Sequence, residues 1–132
     1  MDIALPAFAE TIGAAICRWD DDRPILAIDY SDQICGNPGM FHGGAVGGLL
    51  AMAAVATLQA ELGGRQSASR LIPVSSTVEF LRAAREARAF VAAEIVKSGR
   101  RFANLQAWLW QDSREKPVAT AIVNILIQPG DK

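Results

Sequence analysis

The most prominent feature of the hydrophobic pattern is a stretch of small and aliphatic residues in the first half of the chain. Residues 45–56 carry no polar side chain, and residues that favour helix continue to Leu62. Gly63 and Gly64 follow, and glycine commonly ends a helix. We therefore predict one helix over about residues 44–62, roughly 27 Å long. Because the helix is apolar on every side, we expect it to be buried on every side.

Alternating apolar and variable positions predict six strands around this helix. Two strands precede it, at residues 12–19 and 25–30, and residues 6–12 form either a short helix or an irregular lead-in. Four follow it, at residues 71–81, 87–97, 102–111 and 118–128. Their short connections suit hairpins, so we predict an α+β fold with a curved antiparallel sheet around one central helix. The chain has the size of one domain, and we assign residues 1–132 to a single domain.

Composition and charge narrow the classes of function. Apolar residues make up 51% of the chain and charged residues 20%, and the formal net charge is −1. This balance is typical of a globular protein and offers no basic surface for nucleic acid. The N-terminus lacks the features of a signal peptide, and the apolar run over residues 43–56 is too short to span a bilayer. We expect a cytoplasmic protein with no nucleic-acid or membrane partner. The two cysteines, Cys17 and Cys35, have no metal-ligand spacing.

The entry into the predicted helix carries the clearest candidate chemistry. Gly43 and Gly44 open the helix directly after His42. Free N–H groups and partial positive charge at a helix start can stabilise an oxyanion, as thioester hydrolysis requires. Alternatively, the two glycines merely permit a tight junction between loop and helix. The residues alone leave both interpretations open.

Three motifs occur in order along the chain. The first consists of Asn37, Gly39, His42, Gly43, Gly44 and Leu49, ahead of an alanine-rich helix. The second is TVEFLRAA at residues 77–84, and the third is VKSGRR at residues 96–101. Together they resemble hotdog-fold acyl-CoA thioesterases of the phenylacetate-pathway type, in which the second motif ends a strand with aromatic-Leu-Arg-Pro-Ala. The order of elements is also similar, so the resemblance covers nearly the whole chain and implies the hotdog fold.

The resemblance implies an acyl-CoA thioester as substrate, with coenzyme A entering as part of that substrate and no separate cofactor. It also implies a homodimer with two sites at the subunit interface, often paired into a homotetramer. In such a site the N–H of Gly43 faces the thioester carbonyl, Gly44 lies beside it, and Asn37 positions substrate or water. His42 is mostly structural in the family. It is nevertheless the only histidine of this chain, and so a candidate general base.

The chain departs from the family pattern where catalysis is expected. The family's carboxylate lies eight residues after the first glycine, and this chain has Ala51 there, which can neither activate water nor attack a carbonyl. At the start of the strand after the helix the family commonly has Ser or Thr, and this chain has Pro73. Ser75, two residues later, is expected on the same strand face and is a candidate replacement. The loop is also one residue shorter, because Asn37 precedes Gly39 by two positions instead of three.

Other charged residues give weaker signals. No spacing argues for Asp29 as a replacement acid, and Glu61 is expected to be a solvated side chain at the helix end. Arg82, Arg100 and Arg101 are candidates to hold the phosphates of coenzyme A, because guanidinium groups match phosphate geometry. The alternative for these arginines is an ordinary set of solvated surface charges.

Two functions therefore remain open. One is an acyl-CoA thioesterase with a rearranged catalytic group. The other is a catalytically silent protein that binds acyl-CoA or acyl-pantetheine, and the alanine and proline at positions 51 and 73 motivate it. A dehydratase of the same fold is disfavoured, since it needs a catalytic histidine with an acid partner and His42 lies in a different motif.

Overall fold

A computed structural model of the chain describes residues 5–31, 41, 43–63 and 70–128. The elements are α1 (Ala7–Ile12), β1 (Ala15–Asp20), β2 (Arg23–Ile28), α2 (Gly43–Leu62), β3 (Arg70–Phe80), β4 (Ala89–Ser98), β5 (Phe102–Trp110) and β6 (Ala119–Gln128). The predicted long helix and the six predicted strands are confirmed. The lead-in before β1 is a short helix.

The six strands form one antiparallel sheet in the order β1-β2-β4-β5-β6-β3, and α2 packs on one face of it. Strand β5 shows why the sheet accepts the helix. Ala103, Leu105, Ala107 and Leu109 alternate along it, are fully buried, and belong to the same core cluster as α2. The alternating small residues let α2 approach the sheet closely, and each buried leucine stabilises the fold by about 1.5–3 kcal/mol.

The ends of the strands form two opposite rims of the sheet, which we call the upper and the lower rim. The upper rim contains the end of β3 at Phe80 and the start of β6 at Ala119, which pair with each other. The lower rim contains the start of β3 at Arg70, which pairs with Gln128 at the end of β6. Helix α2 begins at the upper rim, where a Cβ on Gly43 would lie 3.7 Å from the Phe80 ring, and runs toward the lower rim.

The first hairpin differs from its predicted boundaries. Ile12 ends α1 instead of starting a strand, because Gly13 adopts a left-handed conformation (φ 81°) and caps the helix. The turn between β1 and β2 contains only Asp21 and Asp22, both with positive φ, as a two-residue hairpin turn requires. Pro24 lies inside β2, opposite Trp19. The missing N–H of Pro24 is tolerated because β2 pairs with β4 only from residue 26 onward.

The two sides of α2 are buried unequally, so the prediction of burial on every side is wrong for this chain alone. The closed face, which packs on the sheet, consists of Val46, Leu49, Leu50, Ala53 and Ala56, each at most 2% exposed. The open face, on the opposite side, consists of Gly44, Gly47, Gly48, Ala51 and Val55, which are exposed or half-buried. Helix α2 is a longer apolar element than predicted, and by length and composition alone it could cross a membrane. However, 61% of its most apolar 18-residue segment is buried inside the fold.

A second cluster lies on the outer face of the sheet, the face away from α2. Trp110 is buried there against Ile25 and Ala92 and stacks on Phe90, with the ring centroids 5.9 Å apart. The guanidinium of Arg114 lies 5.2 Å from the centroid of the Trp110 ring. The aromatic residues of β5 on this face therefore stabilise packing between neighbouring strands.

Candidate active site

The candidate site begins where the chain enters α2 at the upper rim. The buried residue Phe41 anchors this entry, since its N–H donates to the carbonyl of Ala84 at 2.9 Å. Its ring meets the Tyr30 ring edge-on, at a centroid distance of 5.6 Å. These contacts fix where Gly43 starts the helix. As the first helical residue, Gly43 has no intrahelical acceptor for its N–H.

The glycines of α2 differ in what surrounds them. Gly43 and Gly44 are exposed, and a Cβ on Gly43 would make only an ordinary contact with Phe80. A Cβ on Gly47 would likewise lie 3.9 Å from Val78. A Cβ on Gly48 would come within 3.0 Å of the Phe8 ring of α1, which is too close without movement. Packing within one chain therefore accepts a side chain at position 48 only if the Phe8 ring shifts, whereas position 43 has room for one.

Ala51 lies on the open face of α2, half-buried. It follows Gly43 by eight residues, or about 12 Å along the helix axis. Even a carboxylate at this position would be too distant to act on a carbonyl bound at the N–H of Gly43 in the same chain. Asp29 lies at the upper rim, but its carboxylate accepts a hydrogen bond from Arg88 at 3.1 Å.

Pro73 and Ser75 lie on opposite faces of β3, so the prediction that they share a face is wrong. A β-bulge between them makes Pro73 pair with Ile125, a core residue, and Ser75 pair with Asn124. The Ser75 hydroxyl accepts a hydrogen bond from the Asn124 amide at 2.7 Å on the outer face. The same Asn124 accepts a hydrogen bond from Asn104 of β5. Ser75 therefore belongs to a polar chain on the outer face of three strands.

Pro73 also lies far from the start of α2 within one chain. It precedes Phe80 by seven residues, which corresponds to about 23 Å along an extended strand. Since Phe80 is the contact of Gly43, Pro73 lies toward the lower rim. A single chain therefore does not bring position 73 together with Gly43 and Gly44.

The predicted phosphate-binding arginines are divided between the two rims. Arg82 follows β3 at the upper rim, where its N–H donates to the carbonyl of Val118 at 3.2 Å. Arg100 and Arg101 lie in the turn between β4 and β5 at the lower rim, and both are exposed. The ten residues of β4 separate the two groups by about 30 Å. One chain cannot use all three on one ligand.

Two predicted site residues, Asn37 and His42, lie outside the described residues. Phe8, whose ring covers Gly48, is a further neighbour of the site that was not among the predicted residues. The available signal was the spacing of Phe8 and Ile12, four residues apart, which places both on one side of a short helix.

Comparison with known protein families and structures identifies what the chain resembles. The family model described as the acyl-CoA thioesterase N-terminal domain matches residues 33–126, which is more than half of the chain. Comparison with the curated proteins finds no match.

Several solved structures are similar to this one. A mutant thioesterase from Staphylococcus aureus has a TM-score of 0.82 at 18% identity and covers 94% of this chain and 100% of that chain. The PaaI protein from the phenylacetic acid degradation operon of E. coli has a TM-score of 0.80 at 17% identity, with 95% and 86% covered. A thioesterase from Haemophilus influenzae has a TM-score of 0.78 at 15% identity, with 92% and 82% covered. At these identities the likeness concerns the fold, and it confirms the hotdog arrangement of one long helix within a curved sheet.

Proposed function

Since the chain belongs to the acyl-CoA thioesterase family, we propose that it takes a small acyl-CoA thioester at a site shared by two copies of the chain and hydrolyses it. The observation that carries this proposal is the exposed start of α2 at Gly43. Its N–H has no acceptor within the helix, and its surroundings leave room beside it. A backbone donor at a helix start, aimed at a thioester carbonyl, would stabilise the oxyanion that develops there.

The need for two copies follows from distances within one chain. Gly43 and position 51 are about 12 Å apart along the helix, and Gly43 and Pro73 lie toward opposite rims. Strand β3 is an open edge of the sheet, with Val74 and Phe80 about half exposed on it. If β3 strands of two copies pair antiparallel, the upper rim of one copy lies beside the lower rim of the other. The open face of α2 would then have a partner to cover it.

Such a pair would also reunite the divided arginines. Arg82 of one copy lies at the upper rim, and Arg100 and Arg101 lie at the lower rim. Antiparallel pairing along β3 moves the lower rim of the second copy toward the upper rim of the first. We propose that the phosphates of coenzyme A bind between arginines of two copies, with coenzyme A entering as part of the substrate. A homodimer, further paired into a homotetramer and working in the cytoplasm, is the assembly we propose.

The absence of a catalytic side chain at position 51 motivates the alternative function. Thioester hydrolysis needs a group that activates water, and Ala51 cannot do so. His42 and Asn37, next to the helix start in sequence, are the residues we propose to orient and activate water in its place. If they do not, the same site binds acyl-CoA without turnover, and the protein is a silent acyl-CoA binder.

A panel of short, medium and aromatic acyl-CoA esters separates these functions. Release of free thiol above the uncatalysed rate supports the thioesterase. Saturable binding of the esters in calorimetry without thiol release supports the silent binder. If no ester binds and none is hydrolysed, both proposals are wrong.

A further inference from the structure

A second serine of β3, Ser76, faces the side of the sheet on which α2 packs. Strand β3 bulges at Val74, and from Ser75 to Phe80 each residue again pairs regularly with β6. In this register Ser76 lies opposite Val123, a member of the core cluster that includes α2. The bulge that turns Ser75 to the outer face therefore turns Ser76 to the inner face.

Ser76 faces α2 without being part of the core. Its side chain is exposed, although Val123, opposite it, is fully buried. The next inner-face residue toward the upper rim, Val78, packs against the core. Among the residues that the structure describes, the hydroxyl of Ser75 is paired with Asn124, whereas the hydroxyl of Ser76 makes no hydrogen bond. A hydroxyl that can both donate and accept is thus available on the inner face of the open edge.

Within its own chain Ser76 does not reach the start of α2. It precedes Phe80 by four residues, which corresponds to about 13 Å along an extended strand. Phe80 is the residue beside Gly43. A site that uses both Gly43 and Ser76 therefore needs two copies of the chain, as the proposed function does.

The backbone of β3 restricts how two copies can pair along this edge. Pro73 has no N–H and Val74 is the extra residue of the bulge, so the regular part of the strand runs from Ser75 to Phe80. Directly opposite residues of an antiparallel pair lie on the same face of the sheet, and faces alternate along a strand. A symmetric pairing must therefore be centred on a residue and not between two residues.

Two centres give the largest overlap of the regular segments, Thr77 and Val78. A centre at Thr77 would set Phe80 against the extra residue of the bulge. A centre at Val78 would set Phe80 against Ser76, where the backbone is regular on both strands. The second register avoids the bulge. It would bring Ser76 of one copy beside the residue that contacts Gly43 of the other.

The glycines of α2 agree with a centre at Val78. A Cβ on Gly47 would lie 3.9 Å from Val78, so the axis between the copies would pass beside a position of the open face that has no side chain. Gly43 and Ala51 each lie four residues from Gly47, about 6 Å along the helix. Ala51 of one copy would then be level with Gly43 of the other. Because Ala51 has no polar side-chain atom, Ser76 is the hydrogen-bonding side chain that this register brings there.

Resting on the proposed function, we propose that Ser76 of one copy and Gly43 of the other together hold the carbonyl oxygen of the thioester. A carbonyl oxygen accepts two hydrogen bonds. The N–H of Gly43 donates the first, and the ring of Phe80 beside it can donate none. The hydroxyl of Ser76 donates the second, and both bonds strengthen as negative charge develops on the oxygen. Ser76 forms no covalent bond to the substrate.

Disulfide cross-linking tests the pairing without any substrate. In a background with Cys17 and Cys35 replaced by serine, Ser76→Cys/Phe80→Cys should form a covalent dimer on mild oxidation. Directly opposite residues lie about 4.5–5.5 Å apart between Cα atoms, which suits a disulfide. The control, Ser75→Cys/Phe80→Cys, has its cysteines on opposite faces and should remain a monomer on a non-reducing gel. No cross-link in the first variant, or equal cross-linking in both, overturns the proposal.

The role of the hydroxyl is tested with acetyl-, octanoyl- and benzoyl-CoA and with their analogues in which a methylene group replaces the thioester sulfur. These analogues keep the carbonyl but cannot be hydrolysed. Ser76→Ala should bind the analogues about fivefold more weakly and lower kcat for the esters by about 10²-fold. Ser76→Thr keeps a hydroxyl and should retain both values within a few-fold. The matched control Ser75→Ala removes the hydroxyl of the outer face and should behave as the wild type does.

A ligand without a carbonyl separates a direct contact from an effect on folding. The thioether S-octyl-coenzyme A has no carbonyl oxygen, so Ser76→Ala should bind it as tightly as the wild type does. Equal weakening of the thioether and of the octanoyl-CoA analogue would show that the hydroxyl does not contact the carbonyl, and would overturn the proposal.

The outcomes distinguish this inference from the proposed function. If the wild type binds the analogues and Ser76→Ala matches Ser75→Ala, the inference is wrong and the proposed function stands. If the wild type binds the analogues but hydrolyses no ester, the fivefold difference in affinity decides alone. If the wild type binds none of the probes, the proposed function is wrong and the inference fails with it.

Discussion

The open and closed faces of α2 both lack polar side chains, but only the closed face is buried within one chain. The closed face is built of valine, leucine and alanine and is buried by the sheet. The open face is built of glycine, alanine and valine, and its own chain leaves it exposed or half-buried. An apolar face that its own chain does not cover commonly marks a site of interaction. The difference suggests that one face serves folding and the other serves association and ligand binding.

Introducing an acid on each face should give the largest contrast. Ala53→Asp places a carboxylate at a fully buried position among apolar residues, so it should cost at least about 4 kcal/mol and unfold much of the protein. Ala51→Asp places the same group on the open face and should change the free energy of unfolding by no more than about 1 kcal/mol. Urea denaturation followed by circular dichroism measures both. Equal destabilisation by the two variants would show that the faces do not differ.

Ala51→Asp should also alter activity. If the open face carries the site, an aspartate there can serve as a general base and raise the rate of thiol release by about 10²–10⁴-fold. The control is Ala51→Asn, which has nearly the same shape but cannot take a proton. If Ala51→Asp still binds acyl-CoA and shows no increase in rate, position 51 does not lie near the thioester.

The backbone donor at the start of α2 can be removed without removing a side chain. Proline is tolerated at the first position of a helix, so Gly43→Pro should fold but lack the N–H that we propose to face the carbonyl. We expect the rate of thiol release to fall by about 10²–10³-fold. The rate is compared in the wild type, or in the Ala51→Asp background if only that variant hydrolyses the ester.

Gly43→Ala is the matched control for this variant. It keeps the N–H, and its methyl group would lie 3.7 Å from Phe80, so its rate should stay within a few-fold of the parent. A similar loss of rate in both variants would assign the effect to lost space instead of the lost donor.

The smallest expected effect concerns association through β3. Val74 is 51% exposed on this edge strand, and Val74→Lys should weaken dimerisation by about tenfold, because an edge lysine opposes strand pairing. The control is Val96→Lys, an equally polar change at a valine that is 68% exposed on β4. Sedimentation velocity over a range of concentrations compares the two. Unchanged association in both variants would place the interface elsewhere.

The sequence was sufficient for the elements of the fold because each has a strong local signal. The alanine-rich run predicted α2, and alternation predicted the strands to within a few residues. The predicted boundaries and strand faces were wrong where a single residue changes the local backbone. Gly13 ends α1 after Ile12, and the bulge in β3 turns Ser75 to the outer face. A bulge of this kind adds one residue to a strand without a distinctive residue type, so alternation alone could not reveal it.

The candidate site was harder to predict because its parts lie far apart in one chain. The sequence identified Gly43 and Ala51 by resemblance, but only the helical rise shows that they cannot serve the same carbonyl within one copy. Likewise, Arg82 and Arg100 share a residue type and a predicted role but occupy opposite rims.

Pro73 has a consequence for the behaviour of the protein at high concentration. An open strand edge can recruit further chains without limit, and this is a common route to aggregation. Pro73 removes one backbone donor from β3, and the strand bulges immediately after it. The other edge, β1, is only six residues long, contains its own bulge and carries charged side chains. Both edges are thus protected against endless strand addition, which favours a closed, countable assembly over a growing fibre.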